Sequence, residues 1–450
     1  MIDVFRSTLI FILLFLASHF SYAEDLAKPE EQKTFDLDSM RSFDGSVIHE
    51  IHVSGIRYTK ERAIRWLLSQ HEGDRFSGDL WLKGIHKLYD TTVLYDILTN
   101  IHEVGPHEID IDLSVEDRWT LLPFGIAQAG GGSSSVGGGI WEANVLGYFA
   151  QMGAGYSVFD SVGSFDFNIF QEFFRDTEYM WGLDISSLGA PVDLQNNSGN
   201  DLGSFTWRRQ QEQILIGRKF ETKEASKIRL FAYIETFKDS VLQNNQASKI
   251  SVYTSDQYRI RPTLIVGRSE LTNFLEQGYE FTLAPTAANF FNQSQSYTQL
   301  VTTFKKVFLD NNTNYAMFFN LGAMTSAPIP YLFRLGGYDT VRGFSTNRAL
   351  GQYYAINSLE YRPYLTRFSL PLIGQTIVQG AVFEDGGMMW NSNDLSQSTE
   401  VNSQRGLLSA GVGFRFNVLR FAGAIMRIDA AQTISPSEGF GISLGVGQFF

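Results

Sequence analysis

Cysteine is absent from all 450 residues. Without it there is no disulfide framework, no thiol chemistry and no lipid-modified cysteine anchor, so stability has to come from hydrogen bonding and packing. Histidine is scarce and confined to one end. All seven (His19, His49, His52, His71, His86, His102 and His107) precede residue 108. The rest of the chain therefore has no histidine to serve as a catalytic base or metal ligand. His49 and His52 share one strand at a spacing of three, which puts them on opposite faces and makes them no ligand pair. Neither a metal nor a cofactor is expected. Beyond the N-terminal leader, no window holds the roughly 18 consecutive apolar residues that a helical membrane span needs. Basic runs are missing too. With a net charge of −12 and no cluster of Lys and Arg to neutralise phosphates, the chain is not expected to bind nucleic acid.

What the sequence does contain is aromatic and glycine-rich, with 41 Gly, 37 Phe and 19 Tyr. Strands with one lipid-facing side and one wet side have that composition. Residues 1–23 have the form of a secretory signal: Arg6, the apolar core Leu9 to Leu16, and small residues Ser21 and Ala23 before Glu24. The mature chain is thus expected to leave the cytoplasm. Residues 24–46 are polar with little periodicity and read as a flexible tail. Residues 47–118 read as a β-α-α-β-β module, with a strand from Val47 to Val53, helices around Lys60 to Leu68 and Gly78 to Tyr89, and strands near Tyr95 to Val104 and Glu108 to Val115.

From residue 119 to Phe450 the period becomes two, broken by Gly, Asn, Asp, Ser and Pro clusters. Val412, Phe414, Phe416 and Val418 share one face against Gly411, Gly413, Arg415 and Asn417. The same division recurs where Ile228, Leu230, Ala232 and Ile234 oppose Arg229, Tyr233 and Glu235, and where Tyr315, Met317, Phe319 and Leu321 oppose Asn314 and Asn320. A soluble β-sandwich or propeller also alternates, and on pattern alone it stays open. Backbone groups in lipid must all be paired, so alternating strands in an exported membrane chain require a closed sheet. At about 10 residues per strand plus turns, this region suits a barrel of roughly 14 to 18 strands. The last segment alternates Phe440, Ile442, Leu444 and Val446 with Gly441, Ser443, Gly445 and Gly447, and the sequence stops at Phe450.

Several motifs occur in a fixed order. Ile51, Val53, Gly55 and Thr59 precede the first helix, Gly73 follows it, Leu80 and Leu88 lie in the second, and Leu113, Val115 and Glu116 close the module. Downstream come Asn144, Leu146 and Gly147; Leu335-Gly336-Gly337; Val341-Arg342-Gly343-Phe344; Glu360-Tyr361-Arg362; and Phe383-Glu384-Asp385-Gly386-Gly387. These resemble the BamA/TamA family of outer-membrane barrels, and residues 47–118 resemble a polypeptide-transport-associated (POTRA) domain. The terminal strand ending on an aromatic residue resembles the C-terminal signal of bacterial outer-membrane barrels, which would rest on Phe440, Ile442, Leu444, Val446 and Phe450. The resemblance implies a mainly β fold: a transmembrane antiparallel barrel of 16 strands after one small α/β POTRA domain. It also implies an outer-membrane location with that domain in the periplasm.

In that family an Arg-Gly loop folds into the lumen and its arginine meets carboxylates on the wall. Arg342 would be that arginine, with Asp385 or Glu360 as partner. A guanidinium offers a planar fork that carboxylates satisfy bidentately, where lysine would hold less firmly. Ser358, Glu360 and Arg362 share a parity opposite Leu359 and Tyr361, which puts Glu360 on the polar side. Gly343 permits a close turn and Phe344 supplies an apolar anchor. The glycine-rich run from Gly130 to Gly139 has two readings: a weak seam between first and last strands, or a hairpin turn.

Gly441-Ile442-Ser443-Leu444-Gly445 formally matches the nucleophile elbow of hydrolases, but that elbow needs a strand-to-helix turn with Asp and His later in the chain. Only five residues follow Gly445, and no enzyme is expected. The resemblance implies a protein that inserts or translocates other polypeptides without nucleotide. Its partners would be the outer-membrane bilayer, unfolded outer-membrane or secreted polypeptides, and periplasmic accessory proteins. A single POTRA domain, fewer than family members usually carry, leaves two rivals: a dedicated pore for one exported partner, and a passive porin or structural barrel.

Overall fold

In the computed structural model the described residues are 37–450 apart from 131–132, 173, 175–176, 196–200, 222–226, 246–253, 273–274, 292–294, 371–373, 392–403, 422–424 and 447–450. The proposed leader at 1–23 therefore lies outside them, as does Phe450.

The chain opens with helix α1 (Leu37–Arg41) and strand β1 (Val47–Ser54), followed by α2 (Glu61–Leu67) and α3 (Gly78–Asp90). Strands β2 (Leu94–Gly105) and β3 (Glu108–Asp117) complete a three-stranded sheet in the order β1-β3-β2, with β1 parallel to β3 and β2 antiparallel to it. The helices lie on one face because Trp81, Ile85 and Leu88 recur at helical spacing and bury against Ile48, Ile51, Ile109, Ile111 and Leu113. Leu88 is buried while Leu80 is exposed. The expected free tail at 24–46 needs correction over its described part. Met40 is buried in this core, Phe43 packs on it, and the Gly45 N–H donates to the Phe76 carbonyl at 2.9 Å. Two apolar side chains were enough to tie down a segment whose average composition is polar.

Fourteen strands of the remaining chain run in order as β4 (Leu121–Gly130), β5 (Ser133–Val145), β6 (Ala150–Phe159), β7 (Val162–Gln171), β8 (Tyr179–Gln195), β9 (Asp201–Glu221), β10 (Lys227–Asn245), β11 (Gln257–Thr272), β12 (Leu275–Phe290), β13 (Ser296–Asp310), β14 (Thr313–Met324), β15 (Phe333–Leu335), β16 (Ala349–Gly351) and β17 (Tyr353–Arg362). Five more follow: β18 (Tyr364–Leu370), β19 (Gly374–Trp390), β20 (Gln404–Val418), β21 (Ile425–Ser435) and β22 (Phe440–Val446). All but β15 and β16 form a closed antiparallel ring in sequence order, with β22 returning to β4. β17 and β18 both pair with β19 and are separated by Pro363, so they are one stave and the barrel has 16. Proline has no N–H for the ladder and splits the strand there.

Two-residue hairpins close where the sequence permits left-handed backbone. Asp160 and Ser161 have φ of 41° and 76°, and Asn311 and Asn312 have φ of 46° and 63°, the twist-matched geometry for such turns. Alternation then sets the two faces. Leu230, Ile234, Tyr315, Phe319, Leu321, Val412 and Phe414 project outward and exposed, while Glu235, Asn314 and Arg415 are buried inside. Because the stave number is even, both barrel ends meet the N-terminal module on one side, and the segment between β14 and β17 lies at the opposite mouth.

Candidate functional site

Residues 325–352 leave β14 and fold into the lumen, carrying the short ribbon β15–β16. Arg342 lies in this loop with its side chain 1% exposed. Its Nε donates to Asp385 Oδ2 at 2.7 Å and its Nη2 to Asp385 Oδ1 at 2.7 Å, a bidentate pair. Its Nη1 donates to Glu360 Oε1 at 2.6 Å, so both carboxylates are partners where the sequence reading left the choice open. The guanidinium also lies 3.4 Å from the centroid of the Phe383 ring.

Other groups extend the cluster. Arg362 Nε donates to Glu360 Oε2 at 2.5 Å, Arg415 Nη1 to Asp429 Oδ1 at 2.6 Å, and Arg342 Nη1 reaches Asp429 Oδ2 at 3.4 Å. Ser358 Oγ donates to Asp385 Oδ1 at 2.6 Å. Sequence reasoning missed Asp429 as a partner, although its place between Ile428 and Ala430 in an alternating strand marks it as lumenal. The loop is thereby fastened to β17, β19 and β21, and Arg415 of β20 braces the same Glu360 and Asp429. Val341 and Phe344 are buried with Leu335, Ala349, Tyr354 and Met389, which supplies an apolar anchor beside the ionic one. Gly343 has φ of +91°, and a Cβ there would stand 3.2 Å from the Ala431 Cβ.

A second anchor lies on the far wall. Tyr331 donates from its hydroxyl to the Ser255 carbonyl at 2.8 Å and packs with Phe290 and Tyr297, while the Arg334 guanidinium lies 4.4 Å from the Trp207 ring centroid. The loop therefore crosses the lumen between two walls.

The ring closes where β4 meets β22, with four residue pairs among the described residues. Gly130, Ala129, Gln128 and Ala127 face Gly441, Ile442, Ser443 and Leu444, and Leu121 to Ile126 have no ladder partner on that side among the described residues. A Cβ on Gly130 would come within 2.4 Å of the Gly441 Cα. Of the run Gly130–Gly139, Gly130 lies at the seam, while Ser133 to Gly139 belong to β5, paired on both sides from Ser135 onward. Neither sequence reading of the run holds for all of it. Phe440, Leu444 and Val446 are exposed on the outer face and Gly441 and Ser443 lie inside. Ser443 is in a regular strand, without the turn an elbow needs.

The lumenal loop touches both sides of this seam. Gly343 packs on Gly441, Thr346 N donates to Ser133 Oγ at 3.3 Å, and Arg348 Nε donates to Glu438 at 2.7 Å in the turn before β22.

The N-terminal module joins the barrel through Asn144, Gly147 and Tyr148 at the turn between β5 and β6, where Leu146 is exposed. Asn144 Nδ2 donates to Thr59 Oγ1 at 2.8 Å and its Oδ1 accepts from Phe149 N at 2.7 Å. Thr59 in turn donates to Asp117 Oδ1 at 2.6 Å. Gly147 accepts from Lys60 N at 3.0 Å, and with φ of +83° a Cβ there would lie 2.5 Å from the Tyr58 carbonyl. Trp66 stacks on Tyr148 at 5.4 Å. At the far end of α3, Asp90 pairs with Lys227 of β10. Burial pushes the Asp90 carboxyl up and the Lys227 ammonium opposes that. The double substitution Asn144→Ala and Gly147→Ala is expected to loosen this joint by about 1–3 kcal/mol, the cost of stranding buried hydrogen-bonding groups. Faster amide exchange at 57–60 and 144–149, with barrel heat-modifiability unchanged, is the expected readout; unaltered exchange would refute a rigid joint.

Residues 144–450 match the Omp85 superfamily domain. Among solved structures, the chain is similar to BamA from Haemophilus ducreyi lacking POTRA domains 1–3, at 16% identity and a TM-score of 0.56, covering 89% of this chain and 84% of that one. It is also similar to CdiB from Acinetobacter baumannii, at 13% identity and TM-score 0.60 over 90% of this chain and 74% of that one. CdiB from Escherichia coli gives 14% identity and TM-score 0.60 over 90% and 77%. At these identities the likeness establishes the fold. Comparison with curated proteins gives no match.

Proposed function

The chain belongs to the Omp85 superfamily, and from that premise we propose that it is an outer-membrane barrel assisting the insertion, assembly or translocation of other polypeptides through its β4/β22 seam. Barrels of this superfamily are transport and assembly proteins, and the chain is not an enzyme. The observation that carries the reading is the seam itself, which among the described residues holds four residue pairs with Gly130 opposite Gly441 at one end. A client strand presented to β4 exchanges few native hydrogen bonds for many new ones. The driving force is the client's own folding, because strand pairing removes backbone groups that lipid cannot satisfy.

In this reading the POTRA-like module faces the periplasm. The sheet order leaves β2 as an edge, and an extended client can add to such an edge through main-chain bonds that demand little sequence. Asn144 and Gly147 then hold that edge at a fixed position below the barrel. The Arg342 cluster acts as a lock on the lumenal loop, and Phe440 to Phe450 acts as the barrel's own assembly signal. A lumen crossed by a loop anchored on both walls favours the seam over an open conduit as the client's route.

The test is the folding rate of a urea-denatured outer-membrane protein into liposomes with and without the purified chain, using barrels of an unrelated type as control. Acceleration beyond the control is expected. An unchanged rate would favour a dedicated secretion pore or a passive barrel.

A further inference from the structure

Strand β19 turns Phe383 and Asp385 into the lumen, where both meet Arg342. Glu384 between them therefore projects outward, on the parity of the exposed Val382 and Met388, and it is itself exposed. Two aromatic rows fix its depth. Toward the N-terminal module, Val382 is paired with Tyr361, whose ring packs on Tyr315 at 5.4 Å between centroids. Toward the opposite mouth, Trp390 is paired with Tyr353 and stacks on it at 5.8 Å. Aromatic rows of this kind mark the two membrane interfaces. Glu384 lies two residues inside the first row and six inside the second, roughly 7 and 20 Å along the strand. Its carboxylate stands in the hydrocarbon belt.

Nothing on this wall neutralises it. Among the described residues, the outward positions of β14, β17, β19, β20 and β21 carry no Lys or Arg, and Glu384 is their one charged side chain. Arg367 of β18 stands opposite Ile377, seven residues along β19, roughly 23 Å away and beyond an arginine's reach. The ground around Glu384 is low. Ala410 faces it from β20, Leu359 from β17, and Gly386 follows it on the same face. Asn357 is opposite Gly386, and a Cβ on that glycine would stand 2.4 Å from the Asn357 Oδ1, so a second polar group lies beside the first. Small residues let membrane segments approach closely, and polar side chains bridge them. An ionisable group at this depth marks a functional site whose natural partner carries the opposite charge.

We propose that the outer wall of β17, β19 and β20 docks a membrane-spanning segment of a second protein that presents one Lys or Arg at the depth of Glu384. A lipid amine belongs at the level of the Tyr361 row, whereas a side chain on a spanning segment is placed at whatever depth its sequence dictates. A second copy of the chain offers no cation from this wall, and a two-fold contact sets like walls together. β19 is the thirteenth of the 16 staves counted from β4, separated from β22 by β20 and β21. A segment docked there leaves the β4/β22 seam free. The inference requires the barrel in its membrane and does not rest on the activity of the seam.

The experiment uses the full chain in phosphatidylcholine nanodiscs with a synthetic spanning helix of Leu and Ala that carries one lysine a third of the way along. The same helix with norleucine at that position is the control. Native mass spectrometry counts the peptide retained, and a carbodiimide joins the lysine to any carboxylate it touches. The wild-type chain is expected to bind the lysine helix about tenfold more tightly than the norleucine helix, the usual worth of a polar contact inside a bilayer, with the crosslink at Glu384. Glu384→Gln is expected to bind the two helices equally. Equal binding by the wild-type chain would overturn the proposal, whether or not the variant folds. So would an undiminished lysine preference in Glu384→Gln. Displacement of the helix when phosphatidylethanolamine replaces phosphatidylcholine would overturn it in favour of a lipid amine, and pairing of two chains in place of the helix would overturn it in favour of self-association.

Discussion

Replacing Arg342 with alanine is expected to lower barrel stability by about 3–5 kcal/mol, the usual cost of removing one partner from a buried ionic cluster. The reason is what stays behind. Glu360, Asp385 and Asp429 are each 0–1% exposed, and the substitution removes the guanidinium that Asp385 meets bidentately. Arg362 and Arg415 still neutralise Glu360 and Asp429, so the barrel is expected to assemble and to fail at a lower temperature. Heat-modifiability on gels measures the shift, and limited proteolysis within 325–352 measures release of the loop. Arg342→Lys should fall between the two, because an ammonium cannot reproduce the planar fork. Unchanged heat-modifiability together with unchanged client folding would dispose of the lock.

A disulfide across the seam is expected to abolish client insertion. Ala129 and Ile442 are directly opposed in the β4/β22 ladder, and the chain has no cysteine of its own, so Ala129→Cys with Ile442→Cys gives a single unambiguous crosslink. Opposed residues in antiparallel strands have Cα atoms roughly 4.5–5.5 Å apart, within the roughly 4.4–6.8 Å that a disulfide spans. Oxidised protein should lose all acceleration of client folding and recover it on reduction. Full activity of the oxidised protein would rule out opening at β4/β22.

Much of this was readable because lipid imposes a strict rule on every strand. One face of each stave meets hydrocarbon, so the period-two pattern of residues such as Val412 and Phe414 against Arg415 gave both the strand and its orientation. The α/β module was legible for a related reason, the helical recurrence of Trp81, Ile85 and Leu88. The segment around Met40 and Phe43 was not. Its average polarity hid two apolar side chains whose burial depends on where α3 lies. Pro363 within a strand likewise carried no signal that its two halves would align into one stave.

The candidate site divides in the same way. Residue type and parity, which are local, put Glu360 on the polar side and made the outer wall apolar, while the family resemblance of the Val341–Phe344 motif is what implied a lumenal loop with Arg342 meeting Asp385 or Glu360. Only the tertiary structure decided that Asp429 and Arg415 complete the cluster, that Gly343 meets Gly441, and that Asn144 is tied to Thr59 and through it to Asp117. Those contacts join residues up to about a hundred positions apart, and the closure and stagger of the barrel set which of them meet. No local pattern encodes that register.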